Sequence, residues 1–388
     1  MGKNLLISIY SHPEMYPPTL YAIHELSAIY KRVIVLHRTS FRGNWEYPAN
    51  VILISHGKPM SIRQQEQLSV FNKIMVFTGF TFKKLQLIFK HNPSTILLYD
   101  SFSLLSFHSI KLLLKKRIVW YHSHDIPELN SVRKYSIAWF SFRVEKKAFR
   151  YIDIFTLPAI ERLQHFPLDN FTGQYFVVPN YPLLKFYKRY FIPKNIQGVI
   201  RIIFQGHISE LHGIEEIICL LPAKVYGNDL YLILKGPCRE EYRNNILKKA
   251  AELGVLNKIE FKGITPYSEI PIICSSCHIG IGIHAKNDLM NASLGSASNK
   301  LYEYAAVGLP VLYYKNEHFT SYLSKYKWAF ATTLSATSIL LQIESIVKQY
   351  KDISIAANND FLNDLNFEKH FNKVLQIVLD KLSSNRSS

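Results

Sequence analysis

The sequence lacks the long apolar runs that membrane-spanning helices require. Although 48% of its 388 residues are hydrophobic, no run approaches the roughly 18 apolar residues of a spanning helix. The N-terminal stretch MGKNLLISIY is too short for a secretory signal and has no small-residue cleavage site. Leu6 also stands where a myristoylation signal requires serine or threonine. These absences predict a cytoplasmic protein.

Cysteine is scarce, with four residues in the whole chain. The spacing Cys274-Ser-Ser-Cys277 is typical of a redox motif or of half a zinc site, but no second pair and no His-x-His partner completes a metal site. We interpret the cysteines as small buried residues and predict no metal.

Acidic residues are sparse in the first half of the chain. Residues 1–190 carry 25 Lys and Arg against 11 Asp and Glu, whereas the remaining residues carry 21 against 18. A field of one sign on one domain favours an anionic partner, such as lipid head groups, nucleic acid or a pyrophosphate-bearing substrate.

Short β-rich runs alternate with longer amphipathic segments in both halves, which is typical of parallel sheets with helical crossovers. The strands predicted in the first half are Asn4–Tyr10, Arg32–His37, Val51–Ser55, Lys73–Thr78, Thr95–Tyr99, Arg117–His122 and Ile152–Leu157. Those predicted in the second half are Ile200–Gln205, Leu230–Lys235, Ile259–Lys262, Ile279–Ile283, Pro310–Tyr314 and Ala329–Thr332. Two prolines near residue 180 separate the two series.

The pattern predicts an α/β fold of two doubly wound, Rossmann-like domains that face a central cleft, with ligands at the carboxyl ends of the strands. The predicted domains are residues 1–190, residues 191–365, and a final helix and tail over residues 366–388 that crosses back.

The most specific stretch is SNKLYEYAAVGLPVL, residues 298–312. Ser298 or Asn299 can cap a helix whose free amides suit a phosphate, and Lys300 adds a positive charge at that end. Glu303 lies within the first two turns, where its carboxylate can accept two hydroxyl hydrogen bonds from a ribose. On the pattern alone, a capped amphipathic helix with nothing bound is an equal interpretation.

This stretch resembles the donor-site helix of GT-B glycosyltransferases, in particular family 4, also called group 1. The resemblance implies that Glu303 binds the ribose of the nucleotide and that the amides around Ser298–Lys300 face its diphosphate. It also implies retention of anomeric configuration. Many members have another glutamate, in contact with the donor sugar, where this chain has Gly295, so inversion stays open.

A second element, Gly206 to Gly213, follows the first strand of the C-terminal half. Its glycine lets the backbone approach a ligand, and a helix starts at Gly213. It resembles the family's glycine-rich element, in which a basic side chain neutralises the departing diphosphate. Here His207 and His212 replace that residue, so we expect His212 to contribute and Lys300 or Lys235 to supply the charge.

Three further loops follow predicted strands in the order found in the family. Lys235 and Gly236 begin one loop, Gly263 and Ile264 begin another, and His284 begins the third. The resemblance implies that the first two line the nucleobase pocket and that the third covers the donor sugar. Taken singly, each loop is only a strand followed by a glycine.

In the N-terminal half, the segment WYHSHDIPE ends a predicted strand at residues 120–128. A histidine there could accept or donate a proton, and Asp125 or Glu128 could orient it. The segment resembles the family's histidine-containing segment beside the acceptor or donor sugar. We predict His124 as the catalytic residue, with His122 and Asp125 second.

Together these features predict transfer of a sugar from a nucleoside diphosphate sugar to an acceptor hydroxyl, without a metal or a cofactor. Assembly of bacterial-type surface polysaccharide or glycolipid is the predicted context. The alternatives are a nucleotide-sugar epimerase of the same fold, a catalytically inactive scaffold, and a nucleic-acid-binding protein. Against the last, the sequence contains no recognised nucleic-acid motif, and we predict no nucleic-acid partner.

Three segments mix cations with aromatic or leucine residues: Phe80–Lys90, Lys111–Arg117 and Leu183–Phe191. This combination suits peripheral binding to an anionic bilayer. We therefore expect a glycan or lipid-linked sugar acceptor and a position on the inner face of the membrane. A solvated helix face with an ordinary core stripe is the simpler interpretation.

Overall fold

The computed structural model describes residues 3–39, 45–60, 64–65, 67–126, 132–285 and 294–384. The chain forms two compact units, one of Met1–Pro179 with His370–Ser388 and the other of Asn180–Lys369. The division follows Pro179, earlier than the predicted boundary at residue 190, and the last helix belongs mostly to the first unit.

The first unit is built on a seven-stranded parallel sheet in the order β3-β2-β1-β4-β5-β6-β7. Its strands are β1 (Asn4–Ile9), β2 (Arg32–Arg38), β3 (Val51–His56), β4 (Thr95–Tyr99), β5 (Ile118–His122), β6 (Ile154–Leu157) and β7 (Gln174–Val177). The inner strands are buried along their length, as expected for a sheet covered on both faces, whereas the edge strands β3 and β7 are partly exposed.

The helices of this unit are α1 (Pro17–Ser27), α2 (Val70–His91), α3 (Asp100–Ile110) and α4 (Ile137–Ala148). Two prolines open α1, where the missing N–H groups have no helical partner to lose. Ser69 caps α2 by accepting a hydrogen bond from the amide of Asn72, and the left-handed Asn92 ends it.

The predicted strand Lys73–Thr78 is wrong, because these residues lie inside α2. A short apolar run does not distinguish a strand from a buried helix by its periodicity. The segment is helical because Ser69 caps its start and the helical hydrogen bonds continue to Asn92. Helix α3 was not predicted, since its buried serines conceal the apolar period.

The second unit has a parallel sheet in the order β11-β10-β8-β12-β13-β14, with β9 antiparallel to β10. Its strands are β8 (Val199–Gln205), β9 (Lys224–Val225), β10 (Asn228–Lys235), β11 (Ile259–Gly263), β12 (Ile279–Gly282), β13 (Val311–Tyr314) and β14 (Ala329–Thr332). The chain reverses its direction of winding between β8 and β12, and such a switch point opens a crevice at the carboxyl ends.

Helices cover both faces of this sheet. They are α5 (Leu184–Tyr187), α6 (Ile214–Leu220), α7 (Glu240–Glu252), α8 (Ile270–Ser275), α9 (Asn299–Ala306), α10 (Glu317–Leu323), α11 (Ala336–Lys348), α12 (Tyr350–Asn363) and the start of α13 (Phe367–Ser384). Together the two units confirm the predicted doubly wound α/β architecture. Within the described residues, every helix is too short or too polar to cross a bilayer.

Candidate active site

Three strand ends of the second unit meet through their backbones. The amide of Gly206, after β8, donates to the carbonyl of Lys235 at 2.9 Å, and the amide of Gly236 donates to the carbonyl of Gly263 at 2.8 Å. Gly236 has a φ of +133°, and a Cβ on it would lie 1.9 Å from the carbonyl oxygen of Gly206. The close approach requires glycine, and it brings the loops after β8, β10 and β11 together.

Helix α9 presents its N-terminus without a side-chain cap. Ser298 occupies the N-cap position, but its hydroxyl accepts no bond from a described amide of the first turn. The buried Oδ1 of Asn299 finds no partner within the described part of the chain. The prediction that one of these side chains caps the helix is therefore wrong, and the first amides of α9 are left for another acceptor.

The Glu303 carboxylate is 2% exposed, so it is not open at the helix end as the predicted ribose contact would suggest. Tyr267 donates to its Oε1 at 2.7 Å, and the side-chain amide of Gln205 donates to its Oε2. Burial raises the pKa of Glu303, while Tyr267 and Lys235 act in the opposite direction. The carboxylate is thus a buried acceptor held by Tyr267, Gln205 and Tyr187.

Lys300 lies behind the Gly206 loop. Its Nζ is 4.1 Å from the centre of the Phe204 ring and 3.0 Å from the position of a Cβ on Gly206. Burial lowers the pKa of Lys300 to about 7, although the nearby Glu303 raises it. Lys235 is 7% exposed, and burial lowers its pKa as well. A bound anion would therefore favour the protonated, positively charged form of both Lys300 and Lys235.

The predicted histidines divide into a partly buried pair and an exposed residue. His212 stacks on Phe204 with ring centres 4.8 Å apart and meets His284 edge to face at 5.1 Å. Burial and the neighbouring Lys300 lower the pKa of His212 to about 4, and they lower that of His284 well below its usual value. His207 is exposed. His212 therefore carries no charge near neutral pH, so it can act there only as a neutral hydrogen-bonding group.

The remaining donor-side predictions lie at the edge of this arrangement. Gly213 begins α6 with a φ of +75°, and a Cβ there would come within 2.6 Å of Ile283. Around Gly263 the space is open, and the Ile264 side chain is 78% exposed. Gly263 and Ile264 therefore border solvent and leave room for a ligand.

Gly295, where many family members have a glutamate, starts a short 3-10 turn over Gly295–Ala297. A Cβ on Gly295 would lie 3.0 Å from ring atoms of both His318 and Tyr322. The space that a longer side chain would enter is thus occupied by two aromatic rings.

In the first unit, His122 and His124 lie together at the end of β5. The ring of His124 is sandwiched between Tyr16 and Tyr99, at centroid distances of 4.4 Å and 5.0 Å, and its Nε2 is 2.9 Å from the hydroxyl of Thr19. Burial lowers the pKa of His124 well below its usual value, with His122 and Arg162 adding to the effect. His124 is therefore a neutral, fixed ring.

His122 differs from His124 in one respect. Its Nδ1 is 2.9 Å from the Thr156 hydroxyl, but its buried Nε2 has no partner among the described residues. Burial lowers the pKa of His122 to about 3, with Arg162 adding to the effect. The side chain of Asp125 is exposed, and Glu128 lies outside the described residues. The structure groups the two histidines with Tyr16, Tyr99 and Thr19.

Sequence reasoning missed Gln205 and Tyr267, which hold Glu303 directly. One signal was available, because Gln205 is the last residue of a strand that is otherwise almost entirely apolar from Ile202. Tyr267 gave none, since its partner lies on a different element.

Residues 188–359 match the family Glycosyl transferases group 1. Sucrose-phosphate synthase from Thermosynechococcus elongatus superposes with a TM-score of 0.70 at 13% identity, covering 98% of this chain and 100% of that chain. A glycosyltransferase from Rickettsia africae does so with a TM-score of 0.68 at 13% identity, covering 98% and 99%. HepE from Anabaena, solved with UDP and glucose, gives 0.64 at 15% identity, covering 98% and 100%.

This chain shares the GT-B fold of these structures, and most of its second unit is similar in sequence to the group 1 glycosyltransferases. The predicted fold is thereby confirmed. No curated protein sequence matches the chain. Within the described residues, no three His, Cys, Asp or Glu side chains form a metal-binding group.

Proposed function

We propose that this GT-B protein transfers a glycosyl group from a nucleoside diphosphate sugar to an acceptor hydroxyl. The observation that carries the proposal is the arrangement around α9. There an uncapped helix N-terminus, the partly buried Lys300 and the buried Glu303 lie beside the glycine loops after β8 and β10. Amides and an ammonium suit a diphosphate, while the remaining acceptor capacity of the buried carboxylate suits a ribose hydroxyl.

The donor would bind across the carboxyl ends of the second sheet. The amides at Ser298–Lys300 and the ammonium of Lys300 would receive the diphosphate, with the neutral His212 as a hydrogen-bond donor. Gly206 and Gly213 allow the backbone to approach it. The residues that would line the base and sugar are Lys235, Gly236, Gly263, Ile264 and His284.

Catalysis in this proposal is electrostatic. The departing diphosphate gains negative charge in the transition state, and fixed amides with a buried cation stabilise that charge without reorganising. No metal takes part. Because burial keeps His122 and His124 neutral, they would position sugar hydroxyls by hydrogen bonds rather than accept a proton. Retention of configuration follows from the family resemblance and stays a prediction.

Donor turnover in the presence and absence of acceptors tests this proposal. HepE was solved with UDP and UDP-glucose, so UDP-sugars come first, followed by GDP-, ADP- and CMP-sugars, each screened by thermal shift. Release of the nucleoside diphosphate together with a glycosylated acceptor supports transfer. Donor turnover that only changes the sugar's configuration would support the epimerase alternative, and no donor binding at all would contradict both.

The acceptor side includes a surface suited to an anionic bilayer. Helix α2 carries Phe71, Met75, Phe82 and Phe89 on one side, and these side chains are 70%, 57%, 58% and 64% exposed. Their spacing of four and seven residues places them on one helix face, which extends about 27 Å from Phe71 to Phe89. Lys83 and Lys90 flank this α2 face.

Charge favours a membrane over a second copy of the chain as the occupant of the α2 face. The first half of the sequence has a large excess of Lys and Arg, so two such units would repel each other, whereas acidic lipids would attract each one. We therefore propose a lipid-linked sugar acceptor at the inner face of the membrane. Within the segment Leu183–Phe191, however, Leu183 and Tyr187 are buried in the second unit, so we remove it from the predicted surface.

Vesicle sedimentation tests the α2 face. We expect binding to vesicles that contain phosphatidylglycerol and weaker binding to phosphatidylcholine alone. Replacing Phe82 and Phe89 with serine should weaken the anionic-vesicle binding by more than about tenfold. The control is Leu341→Ser on α11, a residue of the second unit that is 58% exposed. Equal binding by all three proteins would contradict the proposal.

A further inference from the structure

The Glu303 carboxylate is held by side chains that arrive from two other elements. Tyr267, in the turn after β11, donates to Oε1 at 2.7 Å. Gln205, the last residue of β8, donates to Oε2 through its amide nitrogen. We call these two residues the Glu303 clamp.

The clamp is itself fixed by a second set of contacts. The hydroxyls of Tyr187 and Tyr267 are 2.9 Å apart. Cys274 donates through its thiol to Oε1 of Gln205 at 3.1 Å, which leaves the amide nitrogen of Gln205 to face Glu303. The backbone amide of Gln205 donates to the Tyr304 hydroxyl at 2.9 Å. Each clamp residue therefore has a defined orientation.

The two hydrogen bonds from the clamp do not use all the acceptor positions of the Glu303 carboxylate. Its two oxygens offer about four lone-pair directions. The clamp uses one on each oxygen, and the Tyr187 hydroxyl also bonds to the group. The remaining direction can accept a strong hydroxyl hydrogen bond while the group is ionised. Burial works against ionisation, and the groups that oppose burial are Tyr267, Lys235, Tyr187 and Gln205, with Lys300 also close by.

We propose that Tyr267 and Gln205 are positioning residues that keep Glu303 ionised and oriented for a ribose hydroxyl, so that selectivity for ribonucleotides depends on them. This inference rests on the proposed function, because it assumes a nucleotide donor. The opposite arrangement is a gate, in which Tyr267 occupies the ribose position and must be displaced.

Isothermal titration calorimetry with a nucleoside diphosphate and its 2′,3′-dideoxy counterpart separates these cases. The probe is the tightest binder among UDP, GDP and ADP. Tyr267→Phe should weaken the ribonucleotide by about tenfold, the effect of one hydrogen bond to a charged group, and should change the dideoxy nucleotide little. Gln205→Met, which keeps the volume and removes the donor, should act in the same way.

Tyr313→Phe is the matched control. Tyr313 is a buried tyrosine of the same sheet, 2% exposed on β13, and its hydroxyl bonds to Thr320 rather than to the clamp. Both nucleotides should bind this variant as they bind the unchanged protein.

The outcomes are distinct. Selective loss of ribonucleotide affinity supports the clamp. Equal weakening of both nucleotides would mean a general structural role, and tighter ribonucleotide binding by Tyr267→Phe would mean a gate; either result overturns the inference alone. If none of the three diphosphates binds the unchanged protein, the proposed function fails, and the inference fails with it.

Discussion

Lys300 shows how one buried side chain can depend on its ligand. Its Nζ lies over the Phe204 ring beneath the Gly206 loop. In water a lysine is charged at any physiological pH, but burial brings this pKa to about 7. A diphosphate beside the ammonium would restore the charge, because an opposite charge at short range favours the protonated form.

Replacing Lys300 with alanine should weaken nucleoside diphosphate binding by about tenfold to a hundredfold, since a charge-assisted hydrogen bond contributes roughly 1.5–3 kcal/mol. Titration calorimetry with UDP, GDP and ADP measures the change. Lys248→Ala, at an exposed position of α7, serves as the control. Unchanged affinity in Lys300→Ala would remove this residue from the site.

The pH dependence of binding should reflect the same residue. In the free protein Lys300 is protonated below about pH 7 and neutral above it. The bound anion raises this pKa, so binding takes up a proton between the free and the bound pKa. Affinity should therefore be highest below pH 7 and fall by up to about tenfold per pH unit above it. Calorimetry in buffers of different ionisation enthalpy measures the proton uptake, and Lys300→Ala should abolish it.

At the scale of elements, the loops after β8 and β10 depend on direct backbone contact. Gly236→Ala would place a Cβ 1.9 Å from the Gly206 carbonyl oxygen at a φ of +133°. We expect a loss of more than about 3 kcal/mol in the free energy of unfolding, because both overpacking and backbone strain contribute.

Urea denaturation measures this loss. Gly227→Ala is the matched control, since Gly227 also has a positive φ, of +79°, but open space around it. That variant should lose only about 1 kcal/mol from the left-handed backbone. Similar losses in the two variants would show that strain, and not the contact, dominates.

Much of the element pattern could be predicted from the sequence. The strand of residues 329–332 lies where it was predicted, and α9 lies within the stretch 298–312 that was predicted to contain a helix. The exceptions have local causes. Lys73–Thr78 is too short an apolar run to reveal its period, and α3 buries Ser101, Ser103 and Ser106, which read as polar in a sequence pattern.

The candidate site was predictable in its backbone and less so in its charges. The glycines and α9 follow from strand, turn and helix signals. Gly206 and Gly236 directly follow predicted strands, and Glu303 lies on the predicted helix. The protonation states of the site could not be predicted from the sequence. His212, for example, is neutral because of burial and of Lys300, which lies far along the chain. A sequence pattern carries no information about such distant neighbours.

At the scale of the whole molecule, the last helix joins the first unit. Of α13, Phe371, Val374 and Val378 are 2%, 0% and 0% exposed, and Phe371 stacks on Trp120 of β5 at 5.6 Å. Each fully buried apolar side chain of this size contributes about 1.5–3 kcal/mol, so several together rival the total stability of a domain, about 5–15 kcal/mol.

Ending the chain after Lys369 should therefore unfold the first unit and leave the second folded. Scanning calorimetry should show the loss of one transition, and added nucleoside diphosphate should still raise the temperature of the remaining one. Ending the chain after Ser384 is the control and should change neither transition. An unaltered pair of transitions in the shorter protein would contradict the assignment of this helix.

The sequence by itself determined two alternating α/β series, the glycines at the strand ends, the α9 motif and the excess of positive charge in the first half. These depend on residues that are near neighbours along the chain, where period and spacing carry the information. The tertiary structure decided which groups are neutral, that Gln205 reaches Glu303 across 98 positions of sequence, and that α2 turns an apolar side to solvent. Burial and ionisation arise from contacts between distant residues, and only the folded chain brings these residues together.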